Sequence, residues 1–427
     1  MLRLDAADAD FAARFAVFVE AGREPATDVA DTVRDILARV RAEGDAALLD
    51  LTRRFDRIDI DTETLMIRAD EIDAAVAEVD ADLMGALDLA ATRIEEFHRA
   101  QVPAGHEQTD GDGNRTGWRY TPVDAAGLYI PGGRATYPSS VLMNAIPAKV
   151  AGVGRLAMVT PTPDGRLNPL VLAAARRAGV DEIYRVGGAQ AVAALAFGTA
   201  TIAPVDVITG PGNAFVAEAK RQLYGRVGID MVAGPSEILI VADAGADADI
   251  LAADLLSQAE HDPSAQAILI TDDATLAART AAAVETAFSE IATAEAARES
   301  WAAHGAIITV ATLADAVPLI DALAPEHLAL AVADPAALFA RVRHAGSVFM
   351  GYLTPEAIGD YVAGPNHTLP TGRRARFSSG LGVADFMKRT TFLDCSAAGL
   401  AAIGPAAARL ADAEGLPAHA LSVRRRL

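Results

Sequence analysis

Gln258 and His261 lie three residues apart in a stretch whose apolar spacing predicts a helix, so both side chains fall on one face. Imidazole is a common ligand for a divalent metal, whereas a glutamine amide is an unusual one. Such a site needs further donors from far along the chain, and Asp360 and His419 are available. A histidine that caps or packs its helix explains the pair equally well. Glu326 and His327 follow Pro325 at the entry to an apolar run. A carboxylate beside an imidazole offers two proton acceptors. Neighbours in extended chain point to opposite sides, so both reach one site only where the backbone turns. A charged pair at a helix end fits the same residues. Gly210-Pro211-Gly212-Asn213 follows a strand-like run and opens a helix. Its glycines would admit a phosphate or amide-bearing ligand to a helix N-terminus, and a tight strand-to-helix turn would use them as well. Gly152, Gly154 and Ala157 are the nearest approach to a dinucleotide fingerprint, but they precede a strand-like run instead of following one. Residue spacing alone does not establish NAD. Cys395 is the single cysteine, with no His or Lys beside it, and reads as a buried, inert thiol. One cysteine also excludes a disulfide or a thiolate zinc site within the chain.

These residues must be positioned by regular elements. Apolar residues at helical spacing predict helices over 28–40, 45–55 and 80–100, followed by a polar loop or hairpin at 107–114. From 127 onward, short apolar runs alternate with helical stretches. The runs are 127–130, 155–160, 182–186, 205–209, 237–242, 265–271, 306–310, 328–332 and 347–350. The helices between them include 138–150, 167–178, 214–224 and 249–260. This alternation predicts an α/β protein with mainly parallel sheets covered on both faces, and enough strands for two of them. The turn Ala-Gly-Pro-Ser-Glu at 233–237 interrupts the series. After about residue 380 the chain reads as helical and Ala-rich, a small terminal appendage.

The chain has 427 residues, of which 52% are hydrophobic, enough for a large buried core. Acidic residues outnumber basic ones 57 to 37, giving a net charge of −20, which repels nucleic-acid phosphates and anionic membranes. The run Arg424-Arg425-Arg426 reads as a solvated tail. The opening residues carry acids where a signal peptide has bases, and no apolar run approaches a membrane span. A soluble cytoplasmic protein is expected, with neither nucleic acid nor membrane as partner.

Long blocks of this chain resemble the histidinol dehydrogenase family. In order they are GLYIPGGR (127–134) with 137–153, GGAQAVAALAFGT (187–199), GPGNAFVAEAKRQLY (210–224), IDMVAGPSEILIVAD (229–243), DLLSQAEHD (254–262), APEHL (324–328) and the segment 346–389 that includes GYLTPEAIGDYVAGPNHTLP. The match runs from about residue 10 to EGLPAH at 414–419. The resemblance implies two incomplete Rossmann-like domains with small helical terminal extensions. Their expected limits are 1–25 for an N-terminal helical extension, 26–127 with 237–379 for a discontinuous first domain, 128–236 for a second, and 380–427 for a C-terminal extension that completes the active site of a homodimer partner. It further implies one zinc ion held by Gln258, His261, Asp360 and His419, the last from the partner subunit. That donor set is rich in nitrogen and oxygen, unlike structural thiolate sites. Ser236, Glu414 and His327 would touch the substrate together with the four metal ligands. NAD would lie against Tyr129, Gln190 and Asn213. The implied reaction oxidises L-histidinol twice, with His327 and Glu326 carrying protons in its two halves, as the last step of histidine biosynthesis.

Relatives that oxidise other polar diols lack the C-terminal glutamate, and its presence here as Glu414 favours the amino alcohol. The pair Arg373-Arg374 falls where the family has small or variable residues and receives no role. Three rivals remain: a dehydrogenase of another hydroxyl substrate, a zinc hydrolase in which Glu326 activates water without a nicotinamide, and a non-catalytic binding protein, which would leave the Glu326–His327 pair without a use.

Overall fold

Every apolar run read as a strand is one, and the runs sort into two parallel sheets. The computed structural model describes residues 1–21, 29–132, 137–232 and 234–427. The expected helix start at Asp28, the limit between residues 25 and 26, the Gly133-Arg134 end of GLYIPGGR and Ala233 lie outside the described residues. One sheet has five strands in the order Glu182–Tyr184, Arg155–Val159, Ala125–Tyr129, Val207–Thr209, Gly228–Ile229, all parallel. The other has six, in the order Leu2–Asp5, Ala306–Thr309, Gln266–Thr271, Glu237–Ala242, His327–Ala331, Ser347–Met350, again all parallel. The central strands Glu237–Ala242 and Gln266–Thr271 are buried at every position. Helices cover both faces, so such strands are continuous apolar runs instead of alternating ones.

The helices Ala81–Arg99, Pro138–Ala151 and Pro169–Arg177 pack on one face of the five-stranded sheet. Ala30–Glu43 and Asp45–Asp56 pack with Gly188–Phe197 and Ala214–Leu223 on the other. The described helices between residues 30 and 99 thus cover the five-stranded sheet, whereas the strands from 237 to 350 build the other one. An amphipathic period shows that a helix has a core face, but not which sheet the face meets. On the six-stranded sheet, Ala248–Ala259, Ala274–Ala287 and Ala294–His304 form one layer, and Phe11–Glu20 with Leu313–Leu323 the other.

Two strands depart from the sequence reading. Leu2–Asp5 is the edge of the six-stranded sheet, where a helical extension was expected. Met387–Asp394 is a strand, although the chain beyond 380 read as helical; it pairs antiparallel with Arg115–Pro122, which in turn pairs with His106–Thr109. Most of Met387–Asp394 is exposed, so no alternation of buried and polar residues marked it. The hairpin expected at 107–114 is the turn of this three-stranded sheet. The helices Ala397–Ala413 and Pro417–Arg424 follow and pack chiefly on each other. Cys395, at the junction, is exposed and not buried as expected. No described helix is long and apolar enough to cross a membrane.

Candidate active site

In the five-stranded sheet the chain runs outward in opposite directions from Ala125–Tyr129 and Val207–Thr209, so a crevice opens beyond the carboxyl ends of those strands. Ligands of parallel α/β sheets bind at such a switch point. Pro131 and the loop Gly210–Asn213 line the crevice there. The opposite wall comes from the other sheet, but from the amino ends of its strands: Ser236 before Glu237–Ala242, and Glu326 and His327 at the start of His327–Ala331. The result is one cleft of about 400 Å³ between the two sheets.

The first wall is set by its turn. Gly210 has φ 110° and sits so close to the Tyr129 carbonyl that a Cβ would lie 2.0 Å from its oxygen. Only glycine fits. Asn213 caps the helix Ala214–Leu223, its Oδ1 accepting from the Phe215 and Val216 amides at 3.1 and 3.2 Å.

On the second wall, the helix Ala248–Ala259 is started by Asp247, whose carboxylate accepts from the Asp249 and Ile250 amides. It ends at Ala259, so His261 lies just beyond it, in a turn where its amide donates to the Gln258 carbonyl at 3.3 Å. Both side chains nevertheless line the cleft, as the three-residue spacing predicted. Asp360 enters from the short helix Glu356–Tyr361.

His327 is the centre of the polar array. Its Nδ1 lies 3.0 Å from the Glu237 carbonyl and 3.1 Å from Gln258 Oε1, both acceptors, so Nδ1 carries the proton. Nε2 is left with the lone pair, buried and without a hydrogen-bond partner, 3.7 Å from Asp360 Oδ1. Burial drives the imidazole pKa down to about 3, opposed by the bond to Glu237, so the ring is neutral at pH 7. Glu326 Oε2 accepts from the Glu237 amide at 2.9 Å and stands 3.7 Å from His327 Nδ1. Glu237 answers by accepting the Glu326 amide at 3.3 Å, which ties the two strand starts together. Glu326 and His327 both reach the cleft because the pair sits where the chain enters the strand, as the sequence argument required.

Two further groups, Glu356 and His367, escaped the sequence reading as individual residues. Glu356 is buried 3.4 Å from His327 Nδ1, with one carboxylate oxygen unpartnered. Its spacing of four from Asp360 on one helix was the available signal. Burial first, then the neighbouring Asp360, Glu326 and Asp254, hold its carboxyl well above the ordinary range. Burial raises Asp360 to about 7. His367 accounts for the orientation of that helix: its Nδ1 meets the Asp360 carbonyl at 2.9 Å and its Nε2 meets Ser140 Oγ at 3.2 Å. Burial lowers its imidazole to about 4 and also depresses His261. The tightest metal-competent group among the described residues is His327, Glu356 and Asp360.

Of the expected site residues, Asn213, Ser236, Gln258, His261, Glu326, His327 and Asp360 line one cleft. Tyr129 and Gln190 do not. Tyr129 ends its strand buried, with its hydroxyl accepting from the Gly188 amide at 3.0 Å and pushed up to about 12 by burial. Gln190 is buried in the first turn of the helix that Gly188 opens. Glu414 and His419 are exposed on the C-terminal helical pair, outside this cleft of their own chain.

Comparison with known proteins agrees with this architecture. The family model for histidinol dehydrogenase matches residues 20–427. A histidinol dehydrogenase of Rhodospirillum rubrum is 64% identical over all of this chain and 98% of its own length. One from Zymomonas mobilis is 61% identical, covering 100% of this chain and 99% of that one. The crystal structure of histidinol dehydrogenase from Elizabethkingia anophelis superposes with a TM-score of 0.95 at 35% identity, covering 100% of this chain and 98% of that one. With its sheets, cleft and sequence in agreement over nearly its whole length, the chain belongs to the histidinol dehydrogenase family.

Proposed function

We propose that this cleft takes L-histidinol through L-histidinal to L-histidine, using zinc and two molecules of NAD. The observation that carries the reading is His327: a neutral, buried imidazole with Nδ1 fixed by two acceptors and an unpartnered Nε2 inside the cleft. A ring held in that tautomer is ready to accept a proton from a hydroxyl group.

The donor set suits zinc. Gln258, His261 and Asp360 line one cleft, where Asp360 also forms a metal-competent cluster with His327 and Glu356, and the raised carboxyls of Asp360 and Glu356 are an acidic pair that a divalent cation would neutralise. Gln258, His261 and Asp360 would hold the ion together with His419 of the partner subunit. Bound zinc would act as a Lewis-acidic anchor for the substrate's imidazole and amino nitrogens. NAD suits the switch-point wall, where Asn213 faces the cleft, and Tyr129 and Gln190 would support that wall from beneath. It supplies the acceptor for a hydride in each oxidation.

The chain's own groups handle the protons. His327 Nε2 accepts the hydroxyl proton as the first hydride departs, and the open cleft lets it release that proton to solvent. Glu326, oriented by the Glu237 amide, accepts a proton from water attacking the aldehyde. His327 then takes the hydroxyl proton of the hydrate as the second hydride departs. Ser236 and Glu414 of the partner subunit would orient the amino alcohol. Retaining the aldehyde between steps protects it from solvent.

The test is zinc-loaded protein with L-histidinol and NAD, followed by reduced nicotinamide and histidine. NAD-dependent histidine formation that a chelator abolishes and zinc restores is expected. Turnover without NAD would overturn the reading in favour of a hydrolase.

A further inference from the structure

Lys220 is buried to 2% side-chain exposure, an unusual state for a lysine, and pairs with Asp230, itself at 1%. The two side chains close on a single residue. Lys220 Nζ donates to the Gly210 carbonyl at 2.9 Å, and the Gly210 amide donates to Asp230 Oδ2 at 2.8 Å. The other Asp230 oxygen accepts from the Met231 amide at 2.6 Å. Lys220 lies in the helix that the Gly210–Asn213 loop opens, and Asp230 follows the strand Gly228–Ile229 at the sheet edge. Each polar group of the Gly210 backbone is therefore held by one member of a buried ion pair. The loop is clamped between its own helix and the neighbouring strand.

Burying two charges is costly, and well-packed apolar residues would commonly stabilise the fold as well or better. The gain lies in position. Gly210 has φ 110°, a conformation open to many alternatives in a free glycine, and the pair leaves it one.

We propose that Lys220 and Asp230 are positioning residues for the dinucleotide: by fixing both polar groups of Gly210 they hold the Gly210–Asn213 loop in its binding conformation and so set the affinity for NAD. This rests on the reading that NAD lies against Asn213. Neither side chain needs to touch the dinucleotide. Loss of the latch lets the loop populate other conformations, and apparent affinity falls with the populated fraction of the competent one.

Removing one partner strands a buried charge, so the informative variant is the double replacement Lys220→Met with Asp230→Asn, which discharges both. NADH binding is read by nicotinamide fluorescence, alongside steady-state kinetics and thermal unfolding. The Kd for NADH and the KM for NAD are expected to rise about tenfold or more, while kcat at saturating NAD and the KM for L-histidinol stay within about twofold. A folded double variant with wild-type NADH affinity overturns the proposal, as does an equal rise in both KM values. Should the double variant not fold, Asp230→Glu keeps the charge but displaces the carboxylate; it must raise the KM for NAD on its own, and an unchanged value overturns the proposal. Wild-type protein that binds no NADH would instead overturn the functional reading beneath it.

Discussion

At the scale of single residues, burial decides what each histidine can do. His327 and His98 are both buried, neutral imidazoles, but only His327 has a nitrogen lacking a partner inside a cleft. His98 Nδ1 meets the Ile94 carbonyl at 2.7 Å and its Nε2 meets Asn366 Nδ2 at 3.4 Å, so it is a structural group. Burial lowers the His98 pKa below 6.5, against smaller opposing contributions from the Ile94 and Leu381 backbones. The unfolded chain then binds this proton first as the pH falls. The stability that His98 contributes is complete above about pH 6.5 and is lost progressively below it. A His98→Leu variant should therefore lose less stability between pH 7 and pH 5 than wild type. Denaturant titrations across that range should differ in slope by up to about 1.4 kcal/mol per pH unit. Parallel curves would show that His98 is not held neutral. Residue types alone could not separate these two roles, because the difference lies in what faces each ring. Glu326–His327 was legible as an acid–base pair, whereas Glu356 was visible only as a helical neighbour of Asp360.

At the scale of elements, legibility followed burial. Runs such as Glu237–Ala242 are covered on both faces and stand out as uninterrupted apolar stretches. The strand Met387–Asp394 pairs along its length with Arg115–Pro122 but is mostly exposed, so its sequence carried no period. The same small sheet contains a sharp steric constraint. Gly117 sits mid-strand between Glu107 and Phe392, where a Cβ would lie 2.2 Å from the His106 carbonyl and 2.7 Å from the Phe392 ring. Gly117→Val should force the strands apart at a cost of about 1–3 kcal/mol, and occasionally more. The chain reaches its C-terminal helices through Met387–Asp394, so the damage should fall on whatever those helices complete. If those helices complete a partner's site as proposed, light scattering and activity are expected to show a weakened dimer and lost turnover with the parallel sheets intact by circular dichroism. A fully active dimer would separate this sheet from the active site.

At the scale of the whole molecule, the cleft joins the carboxyl edge of one parallel sheet to the amino edge of another, and no single run of sequence contains it. The sequence announced two sheets and most of the cleft residues, but not that the helices between residues 30 and 99 belong with the five-stranded sheet. Glu414 and His419 lie outside the cleft of their own chain. The C-terminal pair also exposes Leu410, Leu416 and Leu421. Both features agree with the proposal that a partner receives this segment. If so, two dead subunits can repair each other. A mixture of His327→Asn and His419→Asn chains, unfolded and reassembled together, should regain roughly a quarter of wild-type activity, since half the dimers are mixed and each holds one intact site. Recovery near zero from two inactive variants would place His419 in the site of its own chain.

In the proposed reaction one cleft performs two oxidations with a water addition between them, and Glu326 serves only the second. This is tested most directly by counting reduced nicotinamide per limiting L-histidinol in the wild-type and Glu326→Gln proteins, with the products identified. Two reduced NAD and one histidine are expected from the wild type. From the variant, one reduced NAD is expected at near wild-type rate, with the aldehyde accumulating. Two reduced NAD at an undiminished rate from Glu326→Gln, or a wild-type enzyme that stops at one, would contradict that reaction.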